Sequence, residues 1–144
     1  MIVAFDYGTK NIGVAITDEN EIFSFAKCSI STDEYSRQPM ILLARVPQIQ
    51  EASLLIVGHP KNLKNQNTVS TQNAEKFSQE LQQLFPSKKV LLFDERFTSQ
   101  IAKQVTHTSK HKTKKRTLEE RSQKDMIEAQ ILLQDYLQRR ENEV

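Results

Sequence analysis

The sequence predicts an α/β fold: a five-stranded mixed sheet, made of a three-stranded antiparallel meander plus two parallel strands, flanked by helices. Three observations carry that expectation. Near the start, three apolar runs are separated by short polar turns, the pattern of a meander. Further on, Leu54-Leu55-Ile56-Val57 and Val90-Leu91-Leu92-Phe93 are wholly apolar and stand either side of a helix-length segment. Short runs without polar alternation fit strands covered on both faces. In the last segment, apolar residues recur at helical spacing.

The elements follow in order. Residues 1–5 read as a buried strand, and Tyr7-Gly8-Thr9-Lys10-Asn11 as a turn. Residues 12–17 form a second strand, Asp18-Glu19-Asn20 a turn, and residues 21–30 a third strand. Ser31-Thr32-Asp33 offers helix N-caps. A helix over residues 33–51 is expected to be bent or interrupted near Pro39 and Pro47, because proline lacks the N–H that the helix needs. The strand at residues 54–57 ends at Gly58, and a polar loop covers residues 61–67. A helix spans residues 69–85 and is broken by Pro86-Ser87 ahead of the strand at residues 90–93. Thr98 caps a short helix ending near Val105, residues 106–117 form a polar, basic loop, and the last helix covers residues 118–140. The order is βββ-α-β-α-β-α-α.

Composition bounds the function classes. At 144 residues, one domain with a sizeable core is expected. A charged fraction of 26% with recurrent apolar runs argues against global disorder. Cys28 is the single cysteine, so no internal disulfide framework exists and a reducing, cytoplasmic setting is expected. No apolar stretch reaches membrane-spanning length, and the start lacks a basic segment followed by a small-residue cleavage site. The net charge of +2 points to no partner, but its distribution does.

Three acidic positions stand where apolar residues are expected. Asp6 ends the first strand on the side shared by Ile2 and Ala4. Turn capping is the ordinary role of such an Asp. The following Gly8 permits a positive φ or a close backbone approach, and Thr9 and Lys10 add donors suited to phosphate. Asp94-Glu95 ends the fifth strand, where open α/β sheets bind ligands. Alternation allows only one of the two to join a site, and the residues alone leave open which one; a surface pair with Arg96 is the plain alternative. Asp125 lies on the helix face Leu118, Ser122, Asp125, Ala129, Leu132, Tyr136, spaced by 4, 3, 4, 3 and 4 residues and widened by Leu133 and Leu137. It therefore faces the sheet, where a carboxylate requires a cation, dedicated donors or a buried salt bridge. Carboxylates gathered from distant chain segments are a standard way to hold Mg²⁺ or Mn²⁺.

Lys110, His111, Lys112, Lys114, Lys115 and Arg116 form a basic run without an acid. Such runs are often solvated clusters; beside a carboxylate site this one reads as a phosphate-backbone clamp. His107 and His111 are spaced i, i+4 without a thiol or carboxylate partner, which argues against zinc. There is no Walker-type loop, nucleophilic-Ser motif or dinucleotide fingerprint.

These residues resemble the YqgF/RuvX family over nearly the whole chain. Asp6-Tyr7-Gly8-Thr9-Lys10-Asn11-Ile12-Gly13-Val14-Ala15 is similar to the family's D-x-G-T-K-x-I-G-V-A motif. Val57-Gly58-His59-Pro60 resembles V-G-x-P, with Asn62 where a following Asn is usual. Asp94-Glu95-Arg96-Phe97-Thr98-Ser99 resembles D-E-R-x-T-[ST], and residues 125–137 resemble the terminal D-x-x-A-A-x-x-L-L-x-x-Y-L helix. Glu128 stands where the family has the first Ala of its pair, and the Gly usual in the loop after Asn62 is missing from Lys64-Asn65-Gln66-Asn67.

The resemblance implies a ribonuclease-H-like nuclease acting on phosphodiester bonds, either in maturation of the 16S rRNA precursor or as a Holliday junction resolvase on branched DNA. It implies an acidic triad of Asp6, Glu95 and Asp125 holding two Mg²⁺ or Mn²⁺ ions, with Asp94 as a further candidate ligand. Lys10, Thr98 and the basic loop (Lys110, Lys112, Lys114, Lys115, Arg116) would contact nucleic acid. Two other classes stand beside it. A non-catalytic RNA- or ribosome-associated binding protein would keep the fold without cleavage. An actin- or sugar-kinase-like ATP module shares Asp-x-Gly-Thr after a first strand but needs a second domain.

Overall fold

The computed structural model describes residues 1–59, 69–94 and 118–142. β1 (Ile2–Tyr7), β2 (Asn11–Thr17) and β3 (Ser24–Ser31) pair antiparallel in succession, as the apolar runs predict. Between β1 and β2, the Gly8 N–H donates to the Asn11 carbonyl at 2.9 Å. A Cβ on Gly8 would stand 2.7 Å from that oxygen. The glycine is therefore required for close approach and not for a positive φ, which it does not adopt. Thr32 pins the turn from outside: its N–H donates to the Lys10 carbonyl at 2.9 Å and its Oγ1 to the Gly8 carbonyl at 2.8 Å.

β3 starts three residues later than the apolar pattern suggests. Asp18 Oδ1 accepts from the N–H groups of Ile22 at 2.8 Å and Phe23 at 2.9 Å, and Glu21 takes a φ of 57°. Residues 18–23 are thus a side-chain-capped turn. These backbone bonds, with that from Phe23 the largest, hold the Asp18 carboxyl below the usual carboxylate range.

The next helical segment is divided, as its prolines require. α1 (Thr32–Arg37) is capped by Ser31 Oγ, which accepts from the Glu34 N–H at 3.3 Å. α2 (Ile41–Arg45) follows Pro39, and Pro47 opens the 3₁₀ turn Pro47–Gln50. β4 (Leu54–His59) lies parallel to β1 and is buried throughout. α3 (Val69–Leu84) then leads back to β5 (Lys89–Asp94), parallel to β4. The sheet order is β3-β2-β1-β4-β5, and the last helix, α4 (Leu118–Asn142), crosses one face. The polar loop at 61–67, the short helix expected after Thr98 and the basic loop lie outside the described residues.

Two cores result. On one face, Val3, Phe5, Ile12, Val14, Leu55 and Val57 pack against side chains of α1, α2 and α3. Phe77 is the hub, with ring centroids 5.6 Å from Phe5, 4.9 Å from Tyr7 and 5.2 Å from Tyr35. On the other, Ile2, Ala4, Ala15, Leu54 and Ile56 meet Ala129, Leu132, Leu133 and Leu137 of α4. Three of the sheet positions under α4 are small (Ala4, Gly13 and Ala15), so the helix can approach closely. At its far end, Arg140 Nη1 lies 3.0 Å from Glu21 Oε1, and Glu21 Oε2 lies 3.6 Å from the N-terminal ammonium. Cys28 is half-buried against the first core and burial pushes its thiol up, in keeping with a packing role. Among the described residues no helix is long and apolar enough to cross a membrane.

Candidate active site

Two of the acidic residues, Asp6 and Asp125, meet where α4 crosses the sheet. Alternation along β1 places Asp6 on the same side as Ile2 and Ala4, toward α4. Asp6 is in register with Gly13 of β2, and partners across a ladder share a face. Gly13 in turn lies directly beneath Asp125. A Cβ there would stand 2.6 Å from the Asp125 carbonyl carbon and 3.3 Å from its Cα. Gly13 is therefore the common neighbour of the two acids, and the helix stripe predicted from spacing faces the sheet.

Asp125 is half-buried. Burial, reinforced by the Glu128 carboxylate, pushes its carboxyl above the ordinary value of 3.8; Lys124 and the side chain of Asn11 oppose the shift. Glu128 pairs with Lys124 at 3.6 Å. Asp125 itself makes no ion pair among the described residues.

The sign of this shift yields a stability prediction. A carboxyl whose folded pKa is raised binds its proton more tightly in the folded chain. Its ionisation therefore costs stability as pH rises from 3.8 through the folded value, and the full cost is present at neutral pH. Without divalent ions, Asp125→Asn should unfold at a higher temperature than wild type at pH 7. The difference should fade as pH falls below the ordinary carboxylate range, and melting curves in chelator across pH check it.

Asp94 is placed differently. It is in register with His59 on β4, while Phe93 faces α4 and meets the Tyr136 ring edge-on at 5.5 Å. Asp94 thus shares the opposite face, where His59 Nε2 lies 2.9 Å from Glu75 Oε1 on α3. Lys10 is exposed in the pinned β1–β2 turn, just beyond the end of Asp6's strand. Glu95, Thr98, Lys110, Lys112, Lys114, Lys115 and Arg116 lie outside the described residues. Among the described residues, no three His, Cys, Asp or Glu side chains gather closely enough to hold a metal ion.

Reading by residue type passes over Gly13, the position that seats Asp125. The signal lies in the parity of the first hairpin. Once β1 and β2 are paired across a short turn, Asn11, Gly13 and Ala15 must share the face of Asp6.

A family model described as "RuvX: Holliday junction resolvase" matches residues 1–139. The chain belongs to the RuvX family. A protein of Flavobacterium psychrophilum is 34% identical over 139 residues, covering 96% of this RuvX chain and 97% of the relative. One of Phocaeicola vulgatus is 34% identical over 137 residues (95% and 94%), and one of Bacteroides fragilis is 31% identical over 137 residues (95% of each). All three are named "Putative pre-16S rRNA nuclease". The match thus extends through the β-sheet into α4, and both acids seated around Gly13 lie within it.

Proposed function

We propose that this chain is a divalent-metal-dependent nuclease that hydrolyses phosphodiester bonds in 5′-end maturation of the 16S rRNA precursor, with Asp6, Glu95 and Asp125 as its acidic triad. The observation that carries the proposal is the seating of Asp125 over Gly13, the register partner of Asp6. Two acids far apart in sequence share one face at the carboxyl end of β1. Glu95 is chosen over Asp94 because Asp94 pairs in register with His59 on the other face.

The donor set suits the proposed ions. Carboxylate oxygens are hard ligands preferred by Mg²⁺ and Mn²⁺. A half-buried carboxylate crowded by Glu128, without an ion pair among the described residues, gains most from a nearby cation. When bound, two such ions supply an activated water and stabilise the leaving 3′ oxygen. The chain's own residues position the reaction. Asp6 and Asp125 hold one wall of the site, and α4 keeps that wall on the apolar sheet. Lys10 and the basic loop grip the phosphate backbone, with Thr98 adding a contact.

The relatives' names favour the rRNA precursor, while the family description favours branched DNA as the second reading. A cytoplasmic, ribosome-associated setting accords with the first. Incubating the protein in Mn²⁺ or Mg²⁺ with a 5′-extended 16S precursor and with a four-way DNA junction distinguishes them. Cleavage at the precursor 5′ end, lost in Asp6→Asn, is expected. Cleavage confined to the junction would assign branched DNA, and binding without cleavage of either would leave a binding protein.

The basic loop carries a separate expectation. Replacing Lys114, Lys115 and Arg116 with neutral residues should weaken binding of single-stranded and branched substrates alike. It should flatten the slope of log affinity against log salt by about 2 units, at ~0.7–0.9 per lost phosphate contact. Binding across a salt series in Ca²⁺ measures this, and an unchanged slope would make the loop a solvated cluster.

A further inference from the structure

Phe93 is the last α4-facing residue of β5 and stands in register with Gly58 of β4. β1 and β4 are in register up to Phe5 and Val57, so the next step of that ladder sets Asp6 opposite Gly58. Gly13, Asp6, Gly58 and Phe93 thus form one row across four strands, on one face of the sheet. Phe93 lies two strands from Asp6, roughly 10 Å at the usual strand spacing, and the position between them is a glycine. Two α4 side chains reach the Phe93 ring. Tyr136 meets it edge-on at 5.5 Å, and the Arg139 guanidinium carbon lies 5.0 Å over its centroid. Asp135, one turn earlier, pairs with the same guanidinium at 3.3 Å, yet the Arg139 side chain is still 37% exposed. Arg140 repeats the arrangement, with its guanidinium carbon 5.9 Å over the Tyr136 ring.

We infer that Phe93, Tyr136 and Arg139 form a nucleic-acid subsite on the β5 side of the acidic centre, in which Arg139 binds a backbone phosphate of the substrate strand. The inference rests on the nuclease reading, with the reacting phosphate at Asp6. Position is the first support. Roughly 10 Å along the row corresponds to about three stacked nucleotides at ~3.4 Å each, so the strand that reacts at Asp6 extends past Phe93. The second support is chemical. A guanidinium takes phosphate oxygens through paired N–H donors, and one already held over a ring and against a carboxylate loses little freedom on binding. The third is that stability alone does not account for the charge. An ion pair this exposed adds little to folding, and an apolar side chain would cover the Phe93 ring without keeping a cation beside the acidic centre.

The test is binding of the full chain to a labelled 5′-extended 16S precursor fragment and to a four-way DNA junction, in Ca²⁺ across a salt series. Wild type is compared with Arg139→Gln, Arg139→Lys and Phe93→Leu, below the melting temperature of each. Arg139→Gln should bind both probes about tenfold more weakly. It should also flatten the slope of log affinity against log salt by ~0.7–0.9, the share of one phosphate contact. Arg139→Lys keeps the charge and the stem over the ring, which covers instability of the glutamine variant. It should keep the wild-type slope and still lose affinity, because the paired donors are gone. Phe93→Leu should likewise lose affinity at an unchanged slope, because the guanidinium is no longer held. Calorimetric titration with Mn²⁺ alone should give the wild-type affinity in all three. Wild-type affinity and slope in folded Arg139→Gln would make Arg139 a latch between α4 and β5 and overturn the subsite; the nuclease reading would stand if Asp6→Asn still abolishes cleavage. Weaker binding of Mn²⁺ by Arg139→Gln would mean that Arg139 acts through the metal centre, which also overturns it. Wild type that binds neither probe would remove the nuclease reading and the subsite together.

Discussion

Replacing Gly13 with alanine should lose both stability and cleavage, although the glycine bears no functional group. The added Cβ would stand 2.6 Å from the Asp125 carbonyl carbon, against backbone and not the tip of a flexible side chain. Relief requires α4 to lift from β2 or the strand to bend away. Overpacking of this kind costs about 1–3 kcal/mol, sometimes more. The displacement falls on the turn of α4 that carries Asp125. A misplacement of about 1 Å at a reacting centre can cost on the order of 10²-fold in rate. Thermal unfolding and metal-dependent cleavage of Gly13→Ala check both parts, and the cleavage loss should persist at temperatures where the variant is fully folded. A variant that melts and cleaves like wild type would show that the helix does not depend on this contact.

Asp6→Asn should have the largest effect on activity and a small one on folding. The substitution keeps size and shape and removes the negative charge that a divalent ion requires. If the ions contribute several kcal/mol to the reaction, loss of a ligand lowers the rate by at least about 10²-fold. In chelator the variant should be no less stable than wild type, because charge is removed from a face that also carries Asp125 and Glu128. Circular dichroism and melting curves establish the fold before the rates are compared.

Much of this arrangement is legible in the sequence because it follows from periodicity. The wholly apolar run at Leu54 is the fully buried β4, and the spacing through Asp125, Ala129 and Leu132 puts that carboxylate over the sheet. The divided helix follows from Pro39 and Pro47. What is not legible depends on tertiary geometry. β3 starts late because the Asp18 side chain satisfies the backbone of Ile22 and Phe23, which reads as strand by composition. The opposite facings of Asp6 and Asp94 depend on the pairing of β5 with β4, which no local pattern specifies. The Tyr35–Glu80 bond at 2.7 Å and the His59–Glu75 pair join segments distant in sequence, and nothing local marks them. Gly13 reads as an ordinary strand glycine until the helix that rests on it is in place.

The central claim is that Asp6 and Asp125, brought to one face around Gly13, form part of a divalent-metal nuclease centre. Its most direct test is single-turnover cleavage of a 5′-extended 16S precursor by wild type, Asp6→Asn and Asp125→Asn across a Mn²⁺ titration. Wild type should cleave with a rate that rises and saturates with Mn²⁺ and is absent in chelator, while both folded variants stay at least about 10²-fold slower at every concentration. Cleavage by either variant at the wild-type rate, or cleavage by wild type in chelator, would contradict the account.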